Sequence, residues 1–162
     1  MNESWAPAGH MFRHHFNLGA PLVVPGTTVD AQVEVVEERE TPGTSRHTLP
    51  WRLDLAPEPI PEVVLHCLPT TAECEVEVRS PAGYWLRIGQ KTPTWDHLIL
   101  WRDASPGVNV LGVEPSTSRD FGREAAEAEG EVWWLKPGEE RCYVTTVTVG
   151  RGDGPRSAGW QG

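Results

Sequence analysis

ECEVEVRSPAGYWLRIG, residues 73–89, decides the fold. Cys74, Val76 and Val78 alternate with Glu73, Glu75, Glu77 and Arg79, the two-residue period of a strand with one face buried and one in water. Pro81-Ala82-Gly83 then breaks the run, and Tyr84, Leu86 and Ile88 share one face of the segment that follows. The stretch reads as two strands joined by a turn.

The rest of the chain repeats this grammar. HLILWRD (97–103) and VNVLGVEP (108–115) are short apolar runs bounded by turn residues, and KPGEERCYVTTVTVG (136–150) reads as a Pro-Gly turn followed by a closing β-branched strand. Sixteen glycines and fifteen prolines are spread along 162 residues, which suits many short strands. Only REAAEAEG (123–130) has helical composition, and Gly130 stops it within two turns. The expected fold is an all-β antiparallel sandwich over residues 1–149, with a Gly-rich, disordered tail over 150–162.

Charge and composition exclude several classes. A formal charge of −9 argues against a nucleic-acid partner. No apolar run approaches the roughly 20 residues of a membrane-spanning helix. Cys67, Cys74 and Cys142 are odd in number and lack C-x-x-C spacing, so they read as reduced thiols of a cytoplasmic protein. His10, His47, His66 and His97 show no metal-ligand spacing, so no metal is expected.

Three stretches carry more than composition: NESWAPAGHMFRHHFNLGAPLV (2–23), WRDASPGVNVLGVEPSTSRDFGR (101–123) and LKPGEERCYVTTVTV (135–149). In this order they resemble the C-terminal half of the aldose 1-epimerase-like proteins of the galactose mutarotase superfamily, specifically its domain-of-unknown-function branch. The resemblance covers Asn2 to Val149. It implies a supersandwich fold, of which this chain would be the C-terminal portion. Members are longer and place further strands ahead of the His14-His15 stretch. A chain lacking them is expected to expose sheet edges and an apolar face. A missing N-terminal half, a separate partner chain or a second copy in a homodimer would cover that face.

The implied activity is isomerisation, interconverting the α and β anomers of a hexose or related sugar through the open-chain aldehyde. One group removes the anomeric hydroxyl proton while another protonates the ring oxygen, work that suits a carboxylate and a histidine near neutral pH. No cofactor is required. Matched to the family's pattern, Glu114 in LGVEP stands for the base and His15 for the acid. His14 stands where the family has tyrosine, and only one of the two adjacent histidines can face a site on one side of a strand. Substrate contacts are assigned to Trp101 and Arg102, with Asn17 at the rim. Arg123, of a Gly-Arg pair, is a further candidate that pairing with Glu114 or Asp120 would explain equally. Glu62 falls where family members have an acidic residue followed by glutamine, here replaced by Val63. Two other classes compete: a non-catalytic sugar-binding or regulatory sandwich, and a half-domain that works only with its partner.

Overall fold

The computed structural model describes residues 1–39, 48–56, 58, 62–92 and 94–154. Expectations for His47, for part of the proline-rich 47–61 segment and for the tail beyond Gly154 lie outside them. The elements are β1 (Ala8–His10), β2 (Phe16–Leu18), β3 (Thr28–Ala31), β4 (Val33–Arg39), β5 (Trp51–Arg52), β6 (Val63–Pro69), β7 (Glu73–Arg79), β8 (Tyr84–Lys91), β9 (His97–Asp103), β10 (Val110–Ser116), α1 (Arg123–Ala128), β11 (Trp133–Leu135) and β12 (Thr145–Arg151). The closing strand therefore continues two residues into the stretch read as tail.

The expected all-β sandwich is present. One five-stranded sheet has the order β2-β10-β9-β6-β4 and the other β12-β8-β7-β3-β5, while β1 and β11 form a separate pair. Every pairing is antiparallel. Val76, Val78, Leu86 and Ile88 face inward from the second sheet, against Val63, Leu65, Cys67, Leu98, Leu100, Leu111 and Val113 of the first. Burying each of the larger of these side chains contributes roughly 1.5–3 kcal/mol before entropy is counted. Cys67 and Cys74 belong to this interior, where burial pushes their thiols up to about 12 and about 11 respectively. Cys142 is exposed.

The two sheets differ on their outer faces. On β7 the outward positions are acidic or basic. On β6, β9 and β10 outward Val64, His66, Ile99 and Glu114 are buried as well. Chain segments therefore cover much of the first sheet from outside. A β-bulge in β4 contributes: the register against β6 shifts between Val35, opposite Cys67, and Glu37, opposite His66. The extra residue turns Glu37 and Arg39 onto the outer face, where unbroken alternation would have turned them inward.

The amino-terminal stretch is tied down. Asn2 is buried, and its side-chain amide donates to the Ala6 and Leu135 carbonyls at 3.0 and 2.8 Å. Its backbone exchanges two 2.8 Å hydrogen bonds with the Pro-Gly turn, at Gly138 and Glu139. Gly138 has φ +76°, a conformation that glycine adopts without strain. At the opposite flank β12 is an edge strand. Val147 and Val149 pair with inward-facing Ile88 and Leu86, yet are 49% and 68% exposed. The inner face of that edge has no strand opposite it among the described residues.

Candidate functional site

Glu114 sits on a central strand of the first sheet and points outward. Directly across the ladder it faces Ile99 of β9, and Gly112, two residues back, faces Trp101. Gly112 is required here: a Cβ would come within 2.7 Å of Glu114 Oε1 and 3.1 Å of the Trp101 side chain. The glycine opens the space into which the carboxylate folds back against the indole.

The Glu114 carboxylate is 2% exposed and held from two sides. Arg13 Nη1 donates to Oε2 at 3.0 Å, and His15 Nε2 lies 3.2 Å from Oε1. Arg13 is placed by a single bridge to Ser116, and the residues after it lead into β2, whose Phe16 pairs with Val113. Alternation through Arg13, His15 and Asn17 sets all three on the outer face, and the structure turns His15 towards Glu114. His14 points the other way. Its Nδ1 meets Thr145 Oγ1 at 2.8 Å, and its ring packs against Phe12, Phe16 and Trp95.

These contacts belong to a closed circuit around a depression of about 180 Å³ floored by Val64 and Ile99. Trp101 Nε1 donates to Glu62 at 2.7 Å, and Glu62 accepts from Arg39 at 3.0 Å. Arg39 also donates to Asp120 at 3.2 Å, and Asp120 lies 3.9 Å from Arg13. His15 meets the Trp101 ring edge-to-face at 5.8 Å between centroids, which closes the circuit. The apolar floor and the carboxylate's depth set its electrostatics. Burial raises the Glu114 carboxyl above its ordinary 4.5, while His15 and Arg13 pull the other way. Such a carboxylate is a stronger base than one in water.

The expected site residues divide. Glu114, His15 and Trp101 converge, Glu62 joins them, and Asn17 lies exposed on the same face opposite Gly112. Arg102 does not join them. It follows Leu98 and Leu100 onto the inner face, where its guanidinium donates to the carbonyls of Asp103, Val110 and Asp54 at 2.7, 2.9 and 3.1 Å. It also donates to Asn109 Oδ1 at 2.6 Å. Its partner is the protein's own backbone at the end of the sandwich, which replaces the expected substrate contact. Arg123 opens α1, donates to Glu127 at 2.9 Å and lies over Trp134, away from the depression. Neither Glu114 nor Asp120 is its partner.

Arg13 and Arg39 are not among the residues the sequence singles out, and Asp120 enters there only as a possible partner of Arg123. Arg13 shares the outward parity of His15, a signal that was available. Arg39 reaches the circuit only through the β4 bulge, which no composition pattern announces. The described residues contain no cluster of three or more histidine, cysteine or acidic side chains placed to hold a metal. No helix among them is long and apolar enough to cross a membrane.

Comparison with known proteins supports the architecture. The model of a domain of unknown function, DUF4432, matches residues 1–149. A crystal structure from Klebsiella pneumoniae, described as a "putative aldose 1-epimerase", superposes with a TM-score of 0.76 at 19% sequence identity. The match covers 91% of this chain and 40% of that one. No curated protein matches.

Proposed function

The chain belongs to the DUF4432 family, and from that premise we propose that it acts on a sugar as an aldose 1-epimerase-like isomerase. Glu114 is the base and His15 the acid. The observation that carries this reading is the buried Glu114 carboxylate, lining an apolar-floored depression with an imidazole 3.2 Å away.

Ring opening then proceeds by one balanced exchange. Glu114 takes the proton of the anomeric hydroxyl, the C1–O5 bond breaks towards O5, and O5 takes a proton from His15. Rotation about C1–C2 presents the other face of the aldehyde, and the reverse exchange closes the opposite anomer and restores both groups. Arg13 fixes the carboxylate, while His15, 45% exposed, has room to move from Glu114 to the ring oxygen. Trp101, on the outer face rather than in the core, offers a platform for sugar C–H groups. Arg13 and Arg39 are both paired with carboxylates, which favours a neutral sugar over a phosphorylated one.

Polarimetry of freshly dissolved α-D-glucose and α-D-galactose tests this. The wild-type chain should accelerate mutarotation, and Glu114→Gln should lose roughly 10²–10⁴-fold of that acceleration. Acceleration unchanged in Glu114→Gln would remove the base assignment.

The exposed inner face of β12 favours a second reading, in which the sandwich is completed by strands of another polypeptide. The chain spans about 40% of the length of the Klebsiella protein it matches. Light scattering of the purified chain should then give a mass above 17.9 kDa. A monomer with no affinity for a hydrophobic dye would count against it.

A further inference from the structure

His66 is a histidine that the acid/base exchange does not use. It lies in the row of Glu114: Glu114 pairs with Ile99 across β10 and β9, and Ile99 pairs with His66 across β9 and β6. Two strand spacings separate the Cα atoms, about 9.5 Å. That span is comparable to a hexopyranose with its hydroxyl groups. His66 thus stands next to Ile99 of the depression's floor, just outside the present lining, with Glu37 next in the row.

The imidazole is 1% exposed, and neither ring nitrogen has a hydrogen-bond partner among the described residues. A neutral imidazole carries one donor and one acceptor, and burying both unpaired is costly. A phenylalanine would fill the same place and stack equally well at no such cost. Groups left in this state call for an explanation. Burial holds the imidazole below its ordinary 6.5, with Asp120 and Glu37 opposing and Arg39 and Arg13 assisting. A neutral ring is the form that can both donate and accept.

Phe121 covers this ring. The two stack at 4.8 Å between centroids and 23° between planes. The neighbouring residues are tethered: Arg119 to Glu131 at 2.6 Å and Glu129 at 3.3 Å, and Asp120 to Arg39 at 3.2 Å. Phe121 itself is 42% exposed, so its side chain has solvent to rotate into while the tethers hold.

We propose that His66 is a second sugar-binding residue of the Glu114 depression. Rotation of Phe121 uncovers it, and its ring nitrogens then engage a hydroxyl remote from the anomeric carbon. This rests on the isomerase reading above. A hydroxyl configured to reach the imidazole would be selected over its epimer, which makes His66 a determinant of which hexose binds. Phe121, once rotated, offers its own face to the sugar.

The test separates the two claims. Side-chain nitrogen resonances of His66 are followed by NMR in wild type and in Glu114→Gln, during titration with D-galactose and with D-glucose. Polarimetry is run in parallel on wild type and His66→Phe. The inference expects His66 resonances to shift with at least one sugar in both proteins. It also expects His66→Phe to raise KM about tenfold, some 1.4 kcal/mol, with kcat held within about threefold. Mutarotation by the wild type with unmoved His66 resonances would overturn the inference and leave the base assignment standing. Equal KM in wild type and His66→Phe would overturn it too. Shifted resonances without mutarotation would support His66 as a binding residue and defeat the isomerase reading. Absence of both would defeat both.

Discussion

Each sheet buries one carboxylate on its outer face, and the two are held differently. Glu77, on β7, is clamped by Arg79, and by Arg87 at 2.8 Å, both rising from positions that the hairpin places beside it. The Trp85 ring lies beneath both guanidiniums. Glu114, on β10, has one guanidinium and one imidazole, and below it an apolar floor. Two cations around one anion make a clamp. Replacing one of them by an imidazole, a group that can both give and take a proton, leaves a carboxylate that can take part in proton transfer.

The largest effects should separate these two glutamates. Glu77→Gln leaves two arginines facing a neutral amide, and breaking a buried pair of this kind costs about 3–5 kcal/mol. Chemical denaturation should show that loss, with mutarotation per folded molecule unchanged. Glu114→Gln should show the reverse: activity lost and stability altered far less, because Arg13 keeps access to water. Comparable destabilisation by both substitutions would erase the distinction and make Glu114 a second structural clamp.

Two glycines sharpen it at the next level. A Cβ at Gly89, on β8, would come 2.5 Å from Thr146 Oγ1, the end of an exposed side chain that can rotate away. A Cβ at Gly112 meets Glu114 and the Trp101 side chain, both fixed by the circuit. Gly112→Ala should cost about 1–3 kcal/mol and lower mutarotation by roughly 10–100-fold, since the carboxylate is displaced from its working position. Gly89→Ala should leave activity intact. Equal behaviour of the two variants would mean that the Glu114 position tolerates displacement.

The same contrast explains what the sequence disclosed. β7 alternates because its outward positions carry charged side chains, so ECEVEVR announced a strand and its apolar side at once. HLILWRD and VNVLGVEP show runs instead of alternation because the first sheet is covered outside as well. Runs of that kind signal a strand but hide its faces. The Trp101-Arg102 pair that the family resemblance offers to the sugar is split for that reason: beside Trp101 in sequence, Arg102 is across the sheet in space. The Glu114 and His15 pair was legible through the motifs that flank it, and Asn17 and Gly19 fixed which histidine counts. Arg39 was not legible. Its place depends on one extra residue in β4, and a bulge leaves no mark in hydrophobic periodicity. Asp120 and Phe121 lie in the loop between β10 and α1, where loop path rather than local pattern decides what they meet.

The smallest expected effect tests the electrostatic half of the comparison. Burial raises the folded-state pKa of Glu114 above the 4.5 of an unfolded chain. Between those two values the native protein holds a proton that the unfolded chain has released. Stability therefore falls as pH rises from about 4.5 through the folded value. His66 and His97 act oppositely. Their folded values lie below 6.5, so the unfolded chain binds more protons there and stability rises with pH towards 6.5. A wild-type curve mixes these slopes, and His15 lies against Glu114 itself. Comparing His15→Asn with His15→Asn/Glu114→Gln removes that partner and cancels the other histidines. The stability difference should decline from pH 4.5 upward and then level, by about 1.4 kcal/mol for each tenfold increase in the proton affinity of Glu114 on folding. A difference that rises with pH would mean that Arg13 outweighs burial. Glu114 would then be held as an anion like Glu77, and the two faces of the molecule would be doing the same thing.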